Sequence, residues 1–172
     1  MEHNKDHSIY WSLVEYLDWK IHIAATSKGL CYVGSHEGLY KDLEAWTKKR
    51  FSSYSLQYND ELLQPFVWEV IEYLKGSRKS FTIPLDMNGT PFQLQVWDAL
   101  TKIPYGHTAS YTDIANTIQK PKAVRAVGTA IGANPLLISV PCHRVIGKDG
   151  SLAGYRGGLD MKKRLLQIEE TS

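Results

Sequence analysis

The chain has 172 residues, of which 43% are hydrophobic and 22% charged, and its formal net charge is +2. This composition is typical of a globular domain and excludes a disordered chain. No stretch approaches the roughly 18 continuous apolar residues of a membrane span, and the N-terminal residues lack the charged-then-apolar order of a signal peptide. We therefore expect a cytoplasmic protein without a membrane partner.

Positive charge is concentrated in the second half of the chain. Residues 1–85 contain 10 Lys and Arg against 11 Asp and Glu, whereas residues 86–172 contain 10 against 7. Between Lys102 and Arg156 the ratio is 7 basic to 2 acidic residues. Such a stripe suits a polyanion, although a solvated surface is the other interpretation.

The first half is predicted to be a mixed α/β domain. Residues 19–26 and 30–35 are rich in aromatic and β-branched side chains, and the Ser-Lys-Gly between them indicates a hairpin. Apolar residues spaced by three and four predict a helix over 61–75, ended by Gly76. Residues 80–87 are predicted to be a further strand, at a sheet edge because Pro84 has no N–H to donate.

The second half is predicted to be mostly helical. Asn88-Gly89 indicates a linker, and Thr90 with Gln93 forms the capping box of a helix that has Pro91 in its first turn. Ser110 can cap a short helix, and a second helix is predicted over 122–133. Two helices with a short turn between them indicate a helix-turn-helix. The predicted fold class is α+β, with domains at 1–85 and 86–172.

The second helix of this pair has an unusual outer face. Val124, Val127 and Ile131 share the side predicted to be buried. The opposite side combines one long side chain with small ones: Arg125, Gly128, Thr129 and Gly132. A glycine costs a helix interior up to about 1 kcal/mol relative to alanine. The two glycines indicate either close approach to a bulky partner or tight packing against the other domain.

Cys142 is the candidate nucleophile, because it is followed directly by His143 within an apolar run. A nucleophilic cysteine must be a thiolate, and apolar burial raises its pKa, so a base has to take the proton. In an extended segment adjacent side chains point to opposite faces, so we expect a bridging water or a bend between them. Glu169, at the edge of the buried face of the last helix, could orient His143. A structural cysteine and a solvated glutamate are the alternatives.

The segment Pro141-Cys142-His143-Arg144-Val145, preceded by Asn134-Pro135, resembles the signature of the O6-alkylguanine-DNA alkyltransferases. The resemblance spans about residues 80–169 and includes the segments ASYTDIA, AVRAVGTAIGANP and GYRGGLDMKKRLL. It implies a C-terminal winged helix-turn-helix domain. Residues 1–80 match less distinctly, but they are compatible with the ribonuclease-H-like N-terminal domain of that family.

The resemblance implies roles for five residues. Cys142 would accept the alkyl group in a single turnover, His143 would act as base through water, and Glu169 would hold the histidine. Tyr111 would donate a proton towards N3 of the guanine. Asn134 would be the hinge between the recognition helix and the active-site segment.

The resemblance also implies double-stranded DNA as the partner, entered from the minor groove. Arg125 would fill the gap left by a flipped nucleotide, and Gly128, Thr129 and Gly132 would form a smooth face beside it. Val145, Tyr155, Arg156 and Gly157 would contribute to the base pocket. Arg156 departs from members that have serine there, and we expect it to alter the size of alkyl group admitted or to contact a phosphate.

No cofactor is expected, and no metal, because Cys31 is accompanied only by His22 and His36. We expect a monomer. A non-catalytic lesion-binding protein of the same fold is the main alternative, although such relatives replace the cysteine by tryptophan. A cysteine hydrolase would need an oxyanion hole, for which the sequence shows no motif. A helix-turn-helix regulator would need a dimerisation or ligand-binding element, and none is evident.

Overall fold

One four-stranded sheet forms the base of the first half of the molecule. The structure is a computed structural model that describes residues 7–171. The strands are β1 (Ser8–Tyr16), β2 (Trp19–Thr26), β3 (Gly29–Val33) and β4 (Ser55–Tyr58), in the order β3-β2-β1-β4. β1 and β3 are both antiparallel to β2, whereas β4 runs parallel to β1.

Two helices accompany this sheet, α1 (Tyr40–Arg50) and α2 (Asp60–Leu74). α2 begins after Asn59, whose side-chain oxygen accepts a hydrogen bond of 3.0 Å from the backbone N–H of Leu62. It packs against β1 and buries an apolar stripe there. Just beyond its end, Gly76 has a φ of +79°, a conformation that favours glycine.

Most of the elements predicted for this half are confirmed, but the strand predicted over 80–87 is wrong. The predicted strands at 19–26 and 30–35 and the helix at 61–75 agree with β2, β3 and α2 to within two residues. Residues 80–87 form only an isolated bridge, in which Leu30 donates to the Pro84 carbonyl at 2.9 Å and accepts from Asp86 at 2.8 Å. Because Pro84 has no N–H, a longer ladder cannot form across it.

Four helices dominate the second half, and two short strands pair in parallel beside them. The helices are α3 (Pro91–Thr101), α4 (Tyr111–Thr117), α5 (Val124–Gly132) and α6 (Leu159–Thr171); the strands are β5 (Ala109–Ser110) and β6 (Val145–Ile146). The predicted capping box of α3, from Thr90 and Gln93, is present, and the predicted cap of α4, Ser110, forms a capping box with Asp113. α4 and α5 form the predicted helix-turn-helix pair, and the α+β fold class with two domains is confirmed.

The two halves share one continuous hydrophobic core. The end of β3 is joined to the second half by backbone hydrogen bonds, from the Val33 N–H to the Pro135 carbonyl and from the Leu137 N–H to the Val33 carbonyl. Arg164 of α6 forms a two-point ion pair with Asp18 at 2.9 Å and stacks 3.9 Å from the ring centroid of Trp19. These contacts fix the sheet relative to the helices. Within residues 7–171, no helix has the length and apolar character that crossing a membrane requires.

Candidate active site

Cys142 lies at the start of a short 3-10 helix, Cys142–Arg144, and only 3% of its surface is exposed. The segment is therefore bent, which is one of the two arrangements expected from the sequence. The bend follows Ile138, a non-glycine residue with a φ of +67°. It turns Cys142 and His143 in different directions, and no direct hydrogen bond between their side chains is present in the described structure.

Asn134 connects the end of α5 to this bend. Its amide nitrogen donates to the Val140 carbonyl at 3.0 Å and to Sγ of Cys142 at 3.2 Å, and its oxygen accepts from the Leu136 N–H at 2.9 Å. The side chain is fully buried, so these bonds are not exchanged with water. Asn134 thus holds the end of α5 and the thiol in one fixed geometry.

The electrostatic environment of Cys142 contains opposing effects. Burial raises the pKa of the thiol, because a thiolate loses its hydration there. The hydrogen bond from Asn134 and the positive charges of Arg156 and Lys162 act in the opposite direction. Lys162 is itself buried and donates to the carbonyls of Val145 at 2.5 Å and Ala153 at 3.0 Å. The site therefore keeps a protonated thiol at rest but offers stabilising partners to the thiolate.

His143 is fully buried and pairs with Glu169 of α6. The Nε2 atom of His143 lies 2.7 Å from Oε2 of Glu169, whereas Nδ1 is buried without a hydrogen-bond partner among the described residues. Because a carboxylate only accepts hydrogen bonds, the proton of the neutral ring belongs on Nε2. Nδ1 then carries the free lone pair and is the atom that can accept a proton.

The Glu169 carboxylate is held by further donors. Arg144 donates from Nε to Oε1 at 2.8 Å and from Nη2 to Oε2 at 3.0 Å, and Tyr73 of α2 donates to Oε2 at 2.5 Å. Burial alone would raise the pKa of Glu169, but the hydrogen bonds from His143, Arg144 and Tyr73 lower it to about 2. Burial lowers the pKa of His143, and Glu169 partly offsets this effect. His143 is therefore a neutral base at neutral pH.

A cavity of about 220 Å³ opens beside Cys142. It is lined by residues from α4, α5, the bend and the loop before α6: Tyr111, Gly128, Ile131, Gly132, Cys142, Gly154, Tyr155 and Arg156. Burial raises the pKa of both Tyr111 and Tyr155, with a further contribution from Cys142, so both hydroxyls stay protonated. The Tyr155 hydroxyl is buried without a described partner. The cavity thus combines a thiol, flat aromatic walls and hydroxyl donors, which suits a planar heteroaromatic ring.

Two of the residues predicted for the base pocket do not line this cavity. Val145 is fully buried, and its carbonyl is occupied by Lys162. Gly157 lies against Met161 and Leu137, where an added Cβ would approach the Met161 sulfur to 2.7 Å. Tyr155 and Arg156, rather than Val145 and Gly157, face the cavity.

Arg156 lines the cavity but its guanidinium is directed to the other half of the molecule. It donates to the Val33 carbonyl at 3.1 Å and stacks over the Tyr32 ring at 5.6 Å. The Arg156 guanidinium, for which a phosphate contact was one expectation, is thus bound within the protein. The side chain therefore ties the pocket loop to β3.

The outer face of α5 is open to solvent. Arg125, Thr129 and Gly132 are exposed, and no heavy atom outside the helix lies within 4 Å of a Cβ built at Gly132. At Gly128 a Cβ would meet only the Tyr111 ring, at 3.7 Å. Packing against the other domain is thus excluded as the reason for the glycines at 128 and 132. The face is available to a partner, with Arg125 as its long side chain.

Cys31 is the other thiol, and it belongs to the core. It is 1% exposed, and its Sγ donates to the Ala24 carbonyl at 3.4 Å. Burial raises its pKa strongly. Within residues 7–171, no group of three or more His, Cys, Asp or Glu side chains is arranged to hold a metal.

Comparison with protein families identifies the architecture. Residues 9–87 match the model of the 6-O-methylguanine DNA methyltransferase ribonuclease-like domain, and residues 91–171 match that of the DNA binding domain of the same enzymes. The chain belongs to the O6-methylguanine-DNA methyltransferase family. The resemblance stated from the sequence is therefore confirmed.

Individual members of the methyltransferase family are similar over almost the whole chain. The inducible methylated-DNA–protein-cysteine methyltransferase of Bacillus subtilis is 56% identical over 99% of this chain and 94% of its own length. The Methanosarcina acetivorans enzyme of the same name is 40% identical over 94% of this chain and 98% of its own.

A solved structure of the Mycobacterium tuberculosis O6-methylguanine methyltransferase superposes with a TM-score of 0.81 at 35% identity, covering 95% of this chain and 93% of that one. The Mycobacterium tuberculosis protein in complex with DNA gives 0.77 at 34% identity, with the same coverage.

Three residues of the methyltransferase site were missed in the sequence analysis: Tyr73, Arg144 in its ion pair, and Lys162. Arg144 was visible beside His143, but its partner lies 25 positions away. Tyr73 lies 96 positions from Glu169. Only Lys162 could have been noticed from its position, because it follows Met161 at the edge of the buried stripe of α6.

Proposed function

We propose that this chain repairs DNA by transferring the alkyl group of O6-alkylguanine to Sγ of its own Cys142. The main observation in support is the arrangement around that sulfur. The buried thiol lines a cavity sized for a planar ring, and the next residue is His143, whose tautomer is fixed by Glu169. Family membership supports the assignment, because the relatives are named for transfer from methylated DNA to a protein cysteine.

In the proposed reaction, Sγ attacks the alkyl carbon in line with the bond to O6 of the guanine. A carbon–sulfur bond forms and the carbon–oxygen bond breaks, so the guanine takes the electron pair. The thiol proton passes through a water molecule to Nδ1 of His143, which is free to accept it. Tyr111 donates a proton towards N3 of the departing guanine. The phenolate left on Tyr111 then regains a proton through solvent from His143, so the thiol proton ends on the guanine, both side chains return to their neutral forms and no cofactor is needed.

Burial of Cys142 means that the guanine must leave the DNA stack to reach it. Flipping a nucleotide costs a few kcal/mol and leaves a gap in the duplex. Arg125 fills that gap from α5, and Gly128, Thr129 and Gly132 let the helix approach closely. We assign α5 to the minor groove, where intercalating side chains are typical. We further propose that the protein acts as a monomer in the cytoplasm.

The product is a thioether, which is stable in water. Nothing in the proposed chemistry restores the thiol, so each molecule acts once. The chain is thus both enzyme and final acceptor.

Transfer stoichiometry tests the proposal. Duplex DNA carrying O6-[³H]methylguanine is incubated with the wild-type protein, Cys142→Ser and Cys31→Ser. We expect wild type and Cys31→Ser to take up no more than one methyl group per molecule, and Cys142→Ser to take up none while still binding the duplex. Repeated turnover by the wild type would contradict the proposal, and binding without any transfer would favour the lesion-binding alternative.

A further inference from the structure

The first half of the chain contributes one polar side chain to the relay behind Cys142. Tyr73 of α2 is 1% exposed, and its hydroxyl donates to Oε2 of Glu169 at 2.5 Å while lying 3.2 Å from Nε2 of His143. Its ring stacks on Phe81 and packs edge-on against Tyr105. The hydroxyl is therefore held in one orientation by its surroundings.

The choice of acceptor distinguishes Tyr73 from an ordinary core tyrosine. A buried hydroxyl needs a partner, and a backbone carbonyl would satisfy it. Tyr73 instead donates to the same carboxylate oxygen that pairs with His143. The other described donors to Glu169 are His143, Arg144 and the Gly106 N–H, all from the second half of the chain. Tyr73 is the one donor from residues 7–85.

We propose that Tyr73 is a positioning residue for the alkyl transfer, whose hydroxyl holds the Glu169 carboxylate against His143 and thereby sets the basicity of Nδ1. The inference rests on the proposed function, in which Nδ1 receives the proton of Cys142. Tyr73 touches neither the thiol nor the cavity, so it acts only through Glu169 and His143. It makes the ribonuclease-like half part of the proton relay.

The direction of its effect follows from the charges that face His143. Glu169 raises the pKa of the ring, whereas Arg144 and Lys162 lower it against a background of burial. The hydrogen bond from Tyr73 lowers the pKa of Glu169, because it draws charge from Oε2. Without it, Oε2 would bind the Nε2 proton more strongly, and Nδ1 would become more basic. Arg144, Lys162, Cys142 and the Tyr105 ring are unchanged by a substitution at Tyr73.

The first test is the pH dependence of single-turnover transfer by Tyr73→Phe. The rate falls at low pH as His143 becomes protonated, and we expect this fall to move to higher pH by about half a unit, which makes transfer about threefold slower at a fixed pH in that region. Rates are divided by the amount of protein able to accept a methyl group. Tyr54→Phe, in the separate N-terminal core cluster, is the matched control and should coincide with wild type.

The second test measures the His143 titration by NMR and needs no DNA. We expect its midpoint to rise in Tyr73→Phe. Replacing Tyr73 by 3-fluorotyrosine keeps the ring and hydroxyl but strengthens the donor, so we expect the midpoint to fall. An unchanged His143 midpoint in the fluorinated protein, or in a folded Tyr73→Phe, overturns the proposal. If wild type transfers no methyl group, the proposed function fails, yet these titrations still decide the role of Tyr73.

Discussion

At the scale of single residues, the burial of Cys142 opposes its own reactivity. The apolar surroundings raise the pKa of the thiol, and the same surroundings lower that of His143, so both groups rest in their neutral forms. In the proposed reaction, proton transfer between them through water creates a thiolate and an imidazolium. Asn134 stabilises the first and Glu169 the second. The buried site thus holds no thiolate at rest, while the thiolate–imidazolium pair can still form during transfer.

Glu169 also gives a prediction for stability against pH. Its pKa is about 2 when folded, below the 4.5 of an unperturbed glutamate, so the stabilisation by its charge is fully present above about pH 4.5 and is lost as the pH falls towards 2. This difference corresponds to about 3 kcal/mol. We expect Glu169→Gln to have a lower free energy of unfolding than wild type at neutral pH. This difference in unfolding free energy should narrow as the pH falls from 4.5 to 2.

Denaturant unfolding at a series of pH values measures that difference, with Glu170→Gln as an exposed neighbouring control. A gap that stays constant over this range would show that the charge of Glu169 does not stabilise the fold.

Cys142, His143 and Glu169, to which we assign the chemistry, could be proposed from the sequence because each of them stands in a local pattern. Cys142 and His143 are adjacent, and Glu169 lies on the edge of the buried stripe of α6. Tyr73 could not be found in this way, since its contact with Glu169 depends on how α2 packs against the second half. The bend at Cys142 was one of the two arrangements expected from the sequence, but the 3-10 helix that forms it depends on tertiary contacts.

At the scale of elements, α4 was predictable from its Ser110 cap and α5 from the spacing of its apolar residues. α1 was not, because it buries only Leu43 and Thr47 and so lacks an apolar stripe. β4 has four residues that are mostly exposed, and it is a strand only because it pairs with β1. Elements that fold on their neighbours leave little pattern in their own sequence.

The exposed face of α5 predicts a selective effect of Arg125→Ala. Without the side chain that fills the gap, the flipped state in duplex DNA loses support, so transfer from duplex O6-methylguanine should slow at least tenfold. Reaction with the free base O6-benzylguanine needs no flipping and should be retained. Single-turnover rates on the two substrates measure this separation.

Lys163→Ala is the matched control, because it removes an exposed positive charge from α6 rather than α5. It should affect both substrates little. Equal losses on duplex and free base in Arg125→Ala would contradict the assignment of Arg125 to the gap.

At the scale of the whole molecule, the two halves pack together around the site through a shared core and hydrogen bonds. Their core is continuous, β3 is hydrogen-bonded to the segment after Asn134, and Arg156 anchors the pocket loop to Val33. The excess of positive charge lies in the second half of the chain, which also carries α5 and matches the DNA binding domain of the family. These long-range contacts leave no local pattern in the sequence. The contact of Arg156 with Val33 in the first half was therefore not predicted.

The central claim is that one specific sulfur receives the alkyl group, and peptide mass spectrometry tests it most directly. After exposure to duplex DNA containing O6-methylguanine, the peptide with Cys142 should gain the mass of one methyl substituent. The peptide with Cys31, which also contains a free buried thiol and so serves as an internal control, should gain none. A repaired lesion with Cys142 unmodified, or with the methyl group on another residue, would contradict the account.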